Sequence, residues 1–258
     1  MISATLNLYR DAGSDAFASI RRSLWAIAFL LAGFVLMFAS GLALGPAGFA
    51  GGFVLFLVHA GLTGWYLSLV EIAVATRRSI STQDIRDNVG QYFNDIITVM
   101  FIFFLPELLI GLAYEEALWV LIPAACLAFN PIPEMLYQER AGGLELIRDS
   151  AMFMQQNWPE WIGPHLVAGG LLATLGWSIT GIWDPEWMVE AVKMFGPWFG
   201  FMQSGYWGLS LGGSFTPQGM GLFALLFVFS HCFMVFRGHL YKRLRTSSRR
   251  GRAWKAQL

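Results

Sequence analysis

Charge is what this sequence has least of. Only 13% of its 258 residues are Asp, Glu, Lys or Arg, against roughly 25% in a water-soluble domain. A chain this poor in charge cannot clothe a folded surface in groups that seek water, which excludes an ordinary soluble protein. Cysteine is scarce as well. Cys126 and Cys232 are the only two, both in apolar runs, where a thiol packs as a small hydrophobe. A disulfide or redox role has no support in their positions. No metal-ligand cluster, phosphate-binding loop or nucleophile arrangement is present, so neither a metal nor another cofactor is expected.

What fills the chain instead is hydrocarbon. Apolar residues make up 56% of it, with 22 Phe and 11 Trp. Runs at 24–44, 51–75, 96–112, 117–136, 161–183 and 220–236 are of membrane-crossing character. The fold class read from them is an all-α polytopic membrane protein with six transmembrane helices. The first pair is joined by residues 45–50, which hold Pro46 and no charge. The second pair turns at Tyr114, Glu115 and Glu116. Formal net charge is zero, but in this topology every basic residue except Lys193 falls on or near one side. That is the positive-inside pattern, and it places both termini in the cytoplasm. The first apolar run lacks a preceding cleavage motif and is read as a retained span.

Three polar stretches precede the three apolar pairs and are read as cytoplasmic interfacial helices. In residues 1–22, Ile2, Leu6, Tyr9, Phe17 and Ile20 form a partly apolar face, while Arg10, Asp11, Asp15, Arg21 and Arg22 stay wet. In residues 81–95, Ser81 or Thr82 caps the helix, and Ile85, Val89, Tyr92 and Ile96 recur at helical spacing. In residues 139–158, Leu144, Ile147, Ala151, Met154 and Trp158 form a stripe. Aligning Arg10-Asp11, Arg86-Asp87 and Arg148-Asp149 brings the three into register at offsets of 76 and 62 residues. The chain then divides into parallel helix-plus-hairpin repeats at 1–76, 77–138 and 139–240, one membrane domain followed by a basic tail at 241–258. Shared demands on cytoplasmic linkers are the competing explanation. The Arg-Asp pairs are read as topology and inter-helix pairing features, not as a catalytic dyad.

A few polar residues fall inside apolar runs. Glu107 follows Pro106, and an ionisable group in hydrocarbon is costly and often functional; interfacial placement competes, since a wet turn follows five residues on. His59 stands without another ligand nearby, so packing or hydrogen bonding is its expected role. Asn130-Pro131-Ile132-Pro133-Glu134 forbids regular helical bonding. Such a break exposes carbonyls to a substrate or ion, or ends a span. Glu107, His59, Pro131 and Pro133 are the candidate intramembrane polar site. Glu71 lies within reach of Arg77 or Arg78. Gly41 and Gly45, four apart, either admit another backbone closely or end their helix. Trp158 and Trp161, with Trp187, Trp198 and Trp207 in the long outer connection 184–219, are candidate aromatic anchors. That connection is a candidate surface for a membrane protein partner. The basic tail suits anionic lipid, and no nucleic-acid partner is expected.

With these segments placed, the opening ISATLNLYRDAG is similar to the YciC-type bacterial inner-membrane proteins. The later IRD-containing helices resemble the linker helices of the membrane domain attached to some glycerophosphodiester phosphodiesterases. These resemblances imply six spans and a bacterial cytoplasmic membrane, and they carry over no catalytic residue. The function expected is that of a non-catalytic integral membrane protein, a structural or accessory partner or a lipid-interacting scaffold. A small transporter or channel using Glu107, the Pro131/Pro133 break and His59 is the second hypothesis. A membrane enzyme acting on lipid or peptide through Glu107, Glu115 or Glu134 is the third.

Overall fold

The computed structural model describes residues 2–76, 78–140, 142–180 and 217–246, and every regular element among them is helical. In chain order these are α1 (Ile2–Ile20), α2 (Leu24–Leu44), α3 (Gly48–Glu71), α4 (Thr82–Asp87), α5 (Phe93–Ala113), α6 (Glu115–Ala128), α7 (Ile132–Glu139), α8 (Gly143–Thr180) and α9 (Pro217–Thr246). Four described stretches are long and apolar enough to cross a membrane: Leu24–Thr76, Phe93–Leu112, Glu116–Glu139 and Ala224–Thr246. The first contains a hairpin. Its arms, α2 and α3, pack together and join through a 3-10 turn at Gly45–Ala47. Each arm exceeds about 30 Å at 1.5 Å per residue, enough for a bilayer's hydrocarbon.

Glycine permits that hairpin, though not at the positions its spacing first suggests. Gly41 and Gly45 face open space. A Cβ on Gly51 would stand 1.9 Å from the Leu44 carbonyl oxygen. Gly64 plays the same part farther along, where a Cβ would lie 3.2 Å from the backbone of Tyr92 and Phe93. α3 ends in a π turn, Ile72–Thr76, whose Val74 packs against Gly238 of α9.

The short α4 is a capped turn rather than a helix through residue 95. Ser81 and Asp84 form a reciprocal capping box. Arg78 clamps Asp84 with both guanidinium nitrogens, Nη1 at 2.6 Å from Oδ2. This ion pair, with the Ser81 donors, holds the Asp84 carboxyl well below the usual carboxylate range. Asp84 also holds the Arg78 guanidinium above its ordinary value. The helix ends at its C-cap Asn88, and in the turn that follows Gly90 takes φ +81°, a left-handed conformation that glycine adopts without a Cβ clash. The break turns Val89 outward, 60% exposed, so it leaves the apolar stripe expected of it. Tyr92 and Ile96 stay buried. The Trp65 indole donates to the Ile85 carbonyl at 2.5 Å and ties α4 to α3. Glu71, expected to meet Arg77 or Arg78, instead accepts from Tyr92 Oη at 2.7 Å and Gln91 at 3.2 Å, with Arg140 at 3.5 Å. Arg78 is committed to Asp84, and Arg77 lies outside the described residues.

Two further departures concern proline. The segments expected as a surface helix and a separate span on either side of Pro159 form one continuous helix, α8. α5 likewise runs through Pro106. A single proline removes one backbone bond, and neighbouring turns carry the helix past it. Pro131 and Pro133, two apart, do break the chain between α6 and α7. The sequence order of the elements hides the centre of the molecule. α9 packs against α1, α2, α3, α7 and α8.

Candidate functional site

α9 carries a charged residue within an otherwise apolar stripe. Phe233, Arg237, Leu240, Tyr241 and Leu244 recur at helical spacing and are all buried. The Arg237 side chain is 0% exposed. A bare guanidinium there would be prohibitively costly, so its partners define the site. Nη2 donates to Glu134 Oε2 at 2.6 Å and to the Asn130 carbonyl at 2.7 Å. The guanidinium carbon lies 5.1 Å from the Trp161 ring centroid, a cation–π contact that a planar, weakly hydrated cation makes well. The Trp161 indole in turn donates to Asn130 Oδ1 at 2.9 Å. One asparagine thus fixes both the charge and the ring beneath it. Gly238, next along α9, brings that backbone close; a Cβ there would meet Tyr137 Oη at 2.3 Å and Val74 at 2.9 Å.

The acceptors lie at the break between α6 and α7. Residues 129–131 form a turn in which Ile132 bonds back to Phe129 and Met135 to Pro131. The Asn130 carbonyl is left to Arg237, and the Ala128 carbonyl accepts from Ser150 Oγ at 3.4 Å. In α8, Pro164 has no N–H for the Glu160 carbonyl four residues earlier. Tyr9 Oη takes that carbonyl at 2.9 Å. Burial, with Glu160 nearby, pushes the Tyr9 phenol up to about 12. The carbonyl that Pro164 releases is therefore caught by a side chain from another helix.

A second polar seam joins the start of the chain to α9. Asp15 meets Arg243 at 2.7 Å, Ser19 Oγ meets His239 Nε2 at 2.9 Å, and Ser23 Oγ meets His231 Nε2 at 2.8 Å. As the chain advances from Asp15 to Ser23, its partners step back along α9. Ser23, His231 and Tyr66 make a chain of hydroxyl, imidazole and phenol, which invites a nucleophile reading. Its bonding opposes that. The Ser19 carbonyl at 3.0 Å and the Ile20 carbonyl at 3.3 Å compete with His231 for the one Ser23 proton, while His231 Nδ1 lies 3.0 Å from Tyr66 Oη. All three side chains are buried, away from any substrate that a nucleophile would need to reach.

The residues expected to form an intramembrane polar site occupy different levels. His59 is buried on α3, and Glu107 is half-buried beside exposed Pro106 on α5. α3 and α5 meet where Gly64 touches Phe93 and Ile96. His59 is then about 7 Å along the axis from that contact and Glu107 about 16 Å, at 1.5 Å per residue. Pro131 and Pro133 are buried at the opposite end, beside Glu134 and Arg237. Of the aromatic anchors, Trp158 is 59% exposed, but Trp161 is fully buried beneath Arg237. Trp187, Trp198 and Trp207 lie outside the described residues. The Arg-Asp pairs have unlike surroundings. Arg10 lies 3.5 Å from Asp11, which also reaches Arg243 at 3.6 Å. Arg86, Asp87, Arg148 and Asp149 make no ion pair among the described residues.

Among the described residues, no group of three or more His, Cys, Asp or Glu is placed to hold a metal ion. Cys126 and Cys232 form no disulfide. Sequence reasoning treated Arg237 only as a marker of sidedness. The signal that could have singled it out is the apolar stripe continuing through Leu240, Tyr241 and Leu244, which puts Arg237 on the inner face. Compared with family models, curated proteins and solved structures, the chain matches none.

Proposed function

We propose that this chain is a non-catalytic integral membrane protein, a structural or accessory partner that holds lipid or another membrane protein. The observation that carries this reading is the closed interior at Arg237. Its charge, the Glu134 carboxylate, Asn130 and Trp161 are turned toward one another, while large apolar side chains face outward along α2, α3, α5 and α6. Polar groups engaged in this way hold helices together. A carrier or enzyme would aim such groups at a cavity or a substrate.

The same reading has six spans. They are the two arms of Leu24–Thr76, α5, α6 with α7, the later part of α8, and α9. It places the ends rich in arginine in the bacterial cytoplasm, in keeping with Arg21, Arg78, Arg140 and Arg245 at one end of the bundle. It takes the three Arg-Asp helices as the heads of three parallel units. The basic tail attracts anionic lipid, and the outer connection 184–219 meets a partner protein. Native mass spectrometry of the full chain released from membranes in mild detergent tests the proposal. Retained lipid or a reproducible protein partner is the expected result; a solitary, lipid-free chain would overturn it.

A further inference from the structure

We infer that the outward face of α1 is a docking surface for anionic phospholipid headgroups, an inference that rests on the membrane reading above and gives it a site and a lipid class. α1 has two unlike faces. Leu8, Ala12, Ala16 and Ser19 are buried. Leu6, Arg10, Phe17 and Arg21 fall within about 60° of one another around a helix of 3.6 residues per turn, on the opposite side. Leu6 and Phe17 are 60% and 65% exposed, and the Arg10 side chain 76%. The helical bonding reaches Arg21, whose amide donates to the Phe17 carbonyl.

The order along this face is apolar, basic, apolar, basic, and it carries no carboxylate. Asp11 and Asp15 lie farther round the helix, where they meet Arg243. Arg10 has Asp11 at 3.5 Å. Arg21 has no carboxylate within ion-pair distance among the described residues; its guanidinium carbon stands 5.9 Å from the Phe17 ring centroid, both groups facing out. An exposed large apolar residue beside an exposed cation is poorly placed in water. At a bilayer boundary it is well placed, with the ring among acyl chains and the cation at the phosphates.

Depth fixes the occupant. Leu24 and Trp25, each 58% exposed, begin the apolar outer surface of α2, which continues through Leu31, Val35, Leu36 and Leu42. Arg21 and Leu24 are three positions apart, at most about 11 Å of chain. Arg21 therefore sits where hydrocarbon gives way to headgroups, and its charge complements an anionic phosphate.

The test uses the full chain in vesicles of one part phosphatidylglycerol to three parts phosphatidylcholine, with spin-labelled lipid of each kind read by electron paramagnetic resonance. The wild type is expected to enrich phosphatidylglycerol at its surface. Each arginine near an anionic surface contributes about a fivefold preference, so R10Q and R21Q should each reduce the enrichment by about that factor, and F17S should weaken it further. R86Q and R148Q, exposed arginines on the other two polar segments, should reduce it by a smaller factor than R10Q and R21Q. Unchanged selectivity in R10Q/R21Q, or an equal loss in R86Q/R148Q, would overturn the site and leave the scaffold reading standing. A wild type without preference would overturn it too, while a retained protein partner in native mass spectrometry would still support the broader reading.

Discussion

α5 and α9 invert the rule by which soluble proteins fold. The span of α5 is the more apolar, yet only 17% of its window is buried; the window of α9 is 67% buried. In water the more apolar helix would be driven inside. Here Phe101, Phe104, Leu108, Leu109 and Leu112 remain outside, whereas α9 brings Arg237, His231 and His239 within. Lipid removes the penalty for apolar exposure, so helices associate through packing and hydrogen bonds between polar groups. The difference teaches where specificity lies: α9 is held by particular partners, α5 by solvent.

The contrast breaks most readily at Arg237. R237A leaves the Glu134 carboxylate buried without its cation, and a loss of about 3–5 kcal/mol is expected, measured as unfolding free energy in mild detergent. Glu134→Leu combined with Arg237→Met should recover most of that loss, because a well-packed apolar pair replaces both charges. Failure of the double variant to recover would show that Asn130 and Trp161 also depend on the guanidinium. Gly238→Ala, one residue on, forces Tyr137 and Val74 apart and should cost about 1–3 kcal/mol in the same assay.

A smaller effect is expected at the α4 turn, outside the spans. Ser81→Ala removes a capping hydroxyl and should destabilise the turn by about 1 kcal/mol, read as faster amide exchange at 82–88. The turn should also respond to acid. The folded Asp84 carboxyl is held below its unfolded value by Arg78. Its contribution is therefore complete above about pH 4 and drains away as pH falls toward the folded value. Asp84→Asn should abolish that dependence in the same exchange measurement. The smallest effect belongs to α5. Leu109→Ala, at a side chain 58% exposed, should shift unfolding by less than about 0.5 kcal/mol; a larger change would mean that this face is covered by protein.

Much of the helix framework was legible in the sequence because apolar run length and turn residues are local properties. The hairpin of α2 and α3, the Ser81 cap and the Asn130–Glu134 break all follow from neighbours in the chain. What could not be read is long-range. Glu71 finds Arg140, 69 residues away, while Arg78 turns to Asp84. Glu134 finds Arg237 across 103 residues. Trp161 resembled an interfacial anchor because Trp158 and Pro159 precede it; nothing local shows that an arginine from the last helix lies over its ring. The prolines were readable as sites of disruption, but not Pro164 as the residue that frees the Glu160 carbonyl for Tyr9.

The seam between α1 and α9 has a consequence for synthesis. Asp15 emerges from the ribosome 228 residues before its partner Arg243. At 5–20 residues per second that interval is about 10–50 s. Throughout it, the Ala12, Ala16 and Ser19 side of α1 has no α9 to cover it. Until then α1 can meet the π turn after α3, but its polar partners Arg243 and His239 are still to come. A chain halted before α9 would lack the partners for both polar seams, however complete its first two hairpins.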